Sequence, residues 1–271
     1  MKKLFLLFAA ALLAATCPAG GGAQFKIGGK KIDAGKLLNA GKDVAKAVTL
    51  NDEEIARLSR EAVEWMDANN PVAADSTTYG ARLKRLTEGI TDADGLPLNF
   101  KVYLVTDVNA FACGDGSIRV FAALMDLMDD DELMAIIGHE IGHVVHADTK
   151  HAMKNAYLAS AARNAAGAAE GSALARLSES QLGKVVAAFI DAQFSQKQEY
   201  EADEHGFEFC VKHGFDPYGM TNSLNKLVEL SKGAKASTVQ KMFSSRPDSE
   251  KRAARMKEKA DAYMAAQRQN R

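Results

Sequence analysis

Asp129-Asp130-Asp131-Glu132-Leu133-Met134-Ala135-Ile136-Ile137-Gly138-His139-Glu140-Ile141-Gly142-His143 is the stretch on which the reading of this chain turns. Its acidic start supplies N-capping carboxylates that suit the positive end of a helix dipole. Leu133, Ile136, Ile137 and Ile141 then recur at helical spacing and predict a buried face. On such a helix His139 and His143 are one turn apart and project from one side, so their imidazoles can grip one metal ion. Glu140 stands beside them, in reach of a proton on a water polarised by that ion. Gly142 costs helix stability and makes sense where another group must come close. The plain alternative is a helix whose two histidines lie on a surface or are satisfied in a core.

A metal site needs a further ligand, and residues 195–206 offer carboxylates. They lie in a stretch of helical periodicity, with Val185, Val186, Phe189 and Ala192 before it and Phe207, Phe209 and Cys210 after it. Glu199 and Asp203 share a helix face. One can bind the metal while the other holds a ligand histidine or braces the helix. Two histidines and one carboxylate leave a position open for water, the pattern of a catalytic rather than a structural zinc. Read alone, the acidic run is equally a solvated face.

His139-Glu140-x-x-His143 paired with Glu199-x-x-x-Asp203 resembles the HtpX-like and CAAX-prenyl-protease-like family of zinc metallopeptidases, which are gluzincins. The segments 99–105, 107–112, 118–121, 180–183 and 192–199 extend the resemblance, which covers roughly residues 50 to 262. It implies an α+β, mostly helical, zincin-like peptidase domain with a small sheet beside the active-site helix. It implies one zinc ion per chain held by His139, His143 and Glu199, with Glu140 as general base and Asp203 supporting a ligand. The edge strand beside the metal would be Asn109-Ala110-Phe111-Ala112, pairing with an extended substrate, since Ala110 and Ala112 are small enough to let a peptide lie close; the plain alternative is a packed interior strand. His205, Arg246, Arg252 and Tyr200 are available to an oxyanion or a substrate carboxylate. The family often carries His-Pro where this chain has Arg246-Pro247, and an arginine offers no lone pair to a metal. No side chain of 244–248 is therefore expected on the zinc. The implied activity is a zinc-dependent endopeptidase of the bacterial cell envelope, acting on unfolded or misassembled envelope proteins in quality control. The alternative is an envelope chaperone or assembly factor with a structural or regulatory zinc, against which the intact Glu140 argues.

The N-terminus reads as a targeting signal over 1–23. Met1-Lys2-Lys3 is basic, and Leu4 to Ala15 is an apolar run too short to span a membrane convincingly. Export to the periplasm or the outer membrane is expected. Cys17 follows Ala14-Ala15-Thr16, an imperfect lipoprotein box, and cleavage after Ala19 or Ala23 competes with it. A lipid on Cys17 would tether the chain to a membrane face. Residues 24–48 are basic and glycine-bearing and read as a flexible tether or weak surface helix, with 49–271 as the peptidase domain. With 34 basic and 35 acidic residues the charge nearly balances, so no nucleic-acid partner is expected. Cys113 and Cys210 lack metal-binding spacing, and their pairing cannot be read from sequence.

Helices are predicted over 51–69, with Asn51 and Glu54 as cap, and over 75–90. A loop over 92–97 and a strand over 99–105 come next, then two short strands around Cys113-Gly114-Asp115-Gly116. Residues 152–175 are alanine-rich but broken by Arg163, Asn164 and Glu170, so they read as a lid or a plain amphipathic helix rather than a membrane span. Gly214 should end the ligand-bearing helix, with further helices from Asp216-Pro217 and Pro247-Asp248.

Overall fold

Capping chemistry fixes the first helix of the main unit. In the computed structural model, Asn51 Oδ1 accepts the Glu54 N–H and Glu54 returns a bond to the Asn51 N–H, opening α1 (Asp52–Asn69). The structure describes the backbone of residues 24–27, 30–33, 51–165, 179–232 and 248–269, and side chains over 51–160, 179–232 and 248–269. The chain divides into two compact units, Leu50–Tyr157 with Leu177–Arg271, and Met1–Thr49 with Leu158–Arg176. In the smaller unit, β1 (Gln24–Ile27) pairs antiparallel with β2 (Lys30–Asp33). A tether or helix was the sequence expectation there, and the alternation flanking Gly28-Gly29 is the hairpin signal it overlooked. The signal segment, Cys17 and residues 166–175 of the expected lid segment lie outside the described residues, and 152–165 of that segment are helical.

In the main unit α2 (Thr78–Leu86) is shorter than the helix expected over 75–90, because Thr77 caps it. The stretch read as a loop is a small hairpin, β3 (Asp92–Ala93) with β4 (Leu96–Pro97). Asp94 and Gly95 both take positive φ, 51° and 80°, as a two-residue hairpin turn requires. Strands β5 (Asn99–Tyr103), β6 (Ala110–Ala112) and β7 (Ser117–Phe121) then form a sheet of order β5-β7-β6. β7 runs parallel to β5 and antiparallel to β6, so the expected hairpin around Cys113–Gly116 is present. Gly116 closes it at φ +86°, where a Cβ would meet the Pro97 carbonyl oxygen at 2.0 Å.

Asp67 on α1 ties that helix to the sheet. Arg119 of β7, 1% exposed, donates from Nε to Asp67 Oδ1 at 2.9 Å and from Nη2 to Oδ2 at 3.0 Å. Tyr103 and Lys101 of β5 donate to the same carboxylate at 2.7 and 2.8 Å. Burial works to raise the Asp67 pKa, but the bonds from Arg119, Lys101 and Tyr103 outweigh it and hold it below 3.8.

After α3 (Ala122–Leu127) comes α4 (Asp130–Val145), opened by an Asp129–Glu132 capping box. Every residue of α4 from Glu132 to Val144 is buried. The single buried face expected from sequence is thus too modest. Ile136, Ile137 and Ile141 pack with the sheet core of Val102, Ile118 and Val120, while Ala135 joins a second cluster with Phe207, Met220, Leu224 and Met256. A helix apolar all round is one enclosed by others. The remaining helices are α5 (Asp148–Ala165), α6 (Glu179–Ile190), α7 (Gln196–His213), α8 (Gly219–Lys232) and α9 (Ser249–Gln269), of which α7 and α8 pack directly on α4. Gly214 ends α7 in the left-handed conformation, as expected. Cys113 and Cys210 are both buried free thiols. Among the described residues no helix is long and apolar enough to cross a membrane.

Asp67→Ala should cost about 3 kcal/mol or more, because it strands the buried Arg119 guanidinium. A carboxylate with a depressed folded pKa contributes stability above its unfolded pKa and loses it as pH falls through the folded one. Urea unfolding of both proteins should show a full gap at neutral pH that closes below about pH 4. A gap independent of pH would sink the assignment.

Candidate metal centre

Glycines let the two ligand-bearing helices meet. A Cβ on Gly142 of α4 would stand 3.1 Å from the Ala202 Cα and 2.9 Å from the His205 Cβ of α7. A Cβ on Gly206 of α7 would stand 2.8 Å from the Ala135 carbonyl oxygen of α4. Both lie under the ordinary separation of packed carbons, so only glycine permits this crossing. The close approach expected around Gly142 is that of α7. His205 adds a tie across it, donating from Nδ1 to the Gly138 carbonyl at 2.8 Å.

This crossing brings His139, His143 and Glu199 together. All three are buried, and one ligand atom from each lies within 4.8 Å of the others. The orientation of the rings is set from behind. Asp203 Oδ1 is 2.9 Å from His139 Nδ1, and Asp148 Oδ2 is 2.9 Å from His143 Nδ1. A carboxylate only accepts, so each Nδ1 carries the proton and each Nε2 keeps its lone pair. The two Nε2 atoms face each other at 3.1 Å. Glu199 adds Oε1 at 3.6 Å from one and Oε2 at 3.8 Å from the other. Two lone pairs and a carboxylate converging in a dry site call for a cation between them, so these residues fit a metal ion. Burial works to lower the His143 pKa, yet the bond to Asp148 and the nearby Glu199 carboxylate outweigh it and raise it, which is the same attraction for positive charge. Asp148 is held below the ordinary carboxylate range: burial opposes this, but the bonds from His143 and Gln198 prevail.

Glu140, also buried, sits next to His139 on α4. Asp203 is placed behind His139, as the supporting role requires. Arg252 of α9 is not at a substrate-facing position. It is 1% exposed, donating from Nε and Nη2 to Asp203 at 2.7 and 2.6 Å, with Nη1 2.5 Å from Glu199 Oε2. A guanidinium turned onto those carboxylates supports the site instead of touching an oxyanion. His205 likewise serves the helix crossing, and burial lowers its pKa. The Tyr200 ring lies under Arg255 at 4.8 Å. Arg246 lies outside the described residues. β6, carrying Ala110, Phe111 and Ala112, is an edge strand of the sheet packed beside α4, and Phe111 meets Phe189 of α6 edge-on at 6.2 Å. Asn109 precedes it, with Oδ1 accepting the Ala110 N–H.

Sequence reasoning missed Asp148, Gln198 and Phe194. Asp148 lies past the end of α4 and returns to His143 through Ala147, whose φ of +61° is unusual for alanine. No local pattern announces such a reversal. Gln198 was legible as the third residue of a Ser195 capping box, and it donates to Asp148 Oδ1 at 2.6 Å. The Phe194 ring stacks on the His143 ring at 4.1 Å.

The family model for peptidase family M48 matches residues 79–260. Metalloprotease LoiP of Escherichia coli K12 is 37% identical over 236 residues, covering 87% of this chain and 92% of its own length. Metalloprotease YcaL of the same organism is 36% identical over 229 residues, covering 84% and 88%. The beta-barrel assembly-enhancing protease of Yersinia pestis is 30% identical over 197 residues, covering 67% of this chain and 39% of its own length.

Asp148→Ala frees the His143 ring to choose the wrong tautomer and orientation. It should weaken metal binding by about 10- to 100-fold while leaving helical content intact. Competition against a chromophoric chelator measures this. Native affinity in the variant would remove Asp148 from the site.

Proposed function

The chain belongs to peptidase family M48 and is a metalloprotease, and on that premise we propose that it is a zinc-dependent endopeptidase of the bacterial cell envelope. The observation that carries the reading is the pair of Nε2 lone pairs 3.1 Å apart, beside a buried Glu199. Two imidazoles and one carboxylate, three protein donors in all, suit zinc in a catalytic role. A zinc ion held by His139, His143 and Glu199 would polarise the scissile carbonyl and acidify a water. Glu140 takes the proton of the attacking water and delivers it to the leaving amine. Asp203 and Asp148 hold the two imidazoles in the tautomer that presents Nε2. An extended peptide would pair along the edge strand β6, and a strand-pairing groove of that kind would be open at both ends, which favours internal cleavage. The small side chains of Ala110 and Ala112 let such a peptide come close.

Unfolded or misassembled envelope proteins are the proposed substrates. Support comes from the basic-then-apolar N-terminus and from a relative whose name ties it to β-barrel assembly. Export, with Cys17 as the lipid-bearing residue or cleavage after Ala19 or Ala23, belongs to the same proposal.

Glu140→Gln should abolish casein degradation while keeping fold and zinc, because the amide accepts no proton yet is nearly isosteric. Chelator should abolish native activity, and zinc should restore it. Cleavage by the variant at the native rate would remove Glu140 as base. A native protein that cuts nothing but suppresses aggregation of envelope proteins would hand the function to the chaperone reading.

Mass spectrometry of the processed N-terminus tests the export proposal. A diacylated Cys17 or a start at Gly20 or Gln24 is expected, and an intact Met1 on cytoplasmic protein would contradict it.

A further inference from the structure

We propose that Arg252 is a positioning residue for the metal ligand Glu199, latching α9 to α7 so that Glu199 offers Oε1 to the ion. The inference rests on the metallopeptidase reading above. A glutamate carboxylate has two equivalent oxygens and can swing about its side-chain bonds. In this site one oxygen is taken: Arg252 Nη1 lies 2.5 Å from Oε2, while Oε1 faces His143 Nε2 at 3.6 Å. Nη1 and Oε2 form an ion pair, held together by opposite charge at close range.

The same guanidinium forks onto both oxygens of Asp203, whose Oδ1 is also bonded to His139 Nδ1. One cation therefore sets two metal ligands, Glu199 directly and His139 through Asp203. Only the planar fork of an arginine can serve two carboxylates in this way, because a lysine ammonium is a point charge. Arg252 is itself placed by packing. Ala253, Met256 and Ala260, on the same helix, lie in one apolar cluster with Phe207 and Cys210 of α7. The cation also offsets repulsion between Glu199 and Asp203, one turn apart on α7.

Arg252→Lys and Arg252→Gln in the full chain test the latch, with circular dichroism reporting the fold. Zinc affinity is read by chelator competition, and KM and kcat on a fluorogenic peptide. Both variants should bind zinc about tenfold more weakly or worse. KM should stay near native and excess zinc should recover much of kcat, the signature of a group acting through the ligand. Native zinc affinity with a raised KM would make Arg252 a substrate contact and overturn the proposal; native values of both would overturn it too. Should neither variant fold, hydrogen exchange of the arginine Nε–H in the native protein decides, slow exchange being expected and fast exchange fatal. If the native chain cuts no peptide, the zinc measurement still reads the latch, so its failure and that of the peptidase reading are told apart.

Discussion

The close crossing of α4 and α7 is the constraint on which the site depends. Gly138 and Gly142 on one helix meet Phe209, Ala202 and His205 on the other, and Gly206 meets the backbone of α4 in return. Glycine inside a helix costs roughly 1 kcal/mol relative to alanine. That cost is accepted here because a wider crossing would carry Glu199 out of reach of His139 and His143. Four-residue spacing on each helix, Gly138 to Gly142 and Ala202 to Gly206, aligns the contact along one ridge. The neighbouring ridge of each helix then presents the ligands, so packing and chemistry share one register.

Electrostatics works against this geometry until a cation is bound. Glu140, Asp148, Glu199 and Asp203 are all buried around the two imidazoles, and Arg252 is the buried cation that faces two of them. Unpaired buried charge is costly, whereas charge that is paired and hydrogen-bonded is tolerated. Asp203 accordingly has His139 and Arg252 as neighbours, Asp148 has His143 and Gln198, and Glu199 has Arg252. The arrangement fixes the protons on Nδ1 and turns both Nε2 atoms inward.

Much of this was legible in the sequence. The His139-to-His143 spacing, the caps at Asn51 and Asp129, the turn at Gly116 and the stop at Gly214 follow from local rules, and the structure shows them. What escaped was non-local or reversed by short turns. The Asp94-Gly95 hairpin was passed over because its strands are two residues each. Arg252 stands in the sequence as one of several possible oxyanion or substrate contacts, because no periodicity reveals which buried carboxylates a distant arginine will meet. Asp148 was missed because only the positive φ of Ala147 brings it back to His143. The N-terminal half of the question, where the chain resides, was carried by composition alone.

The site draws on segments far apart in the chain, His139 to Asp148, Phe194 to Asp203, and Arg252. Bringing them together closes long loops, at an entropic cost that rises only slowly with loop length. A metal at their meeting point binds the folded state and not the scattered ligands of the unfolded chain. At a free concentration 100 times its dissociation constant, such a ligand adds about 2.7 kcal/mol to stability. That is a large share of the margin by which domains of this size are folded. The residues that would hold the ion thus also join α4, α7 and α9, and losing such an ion would loosen the junction from which they project.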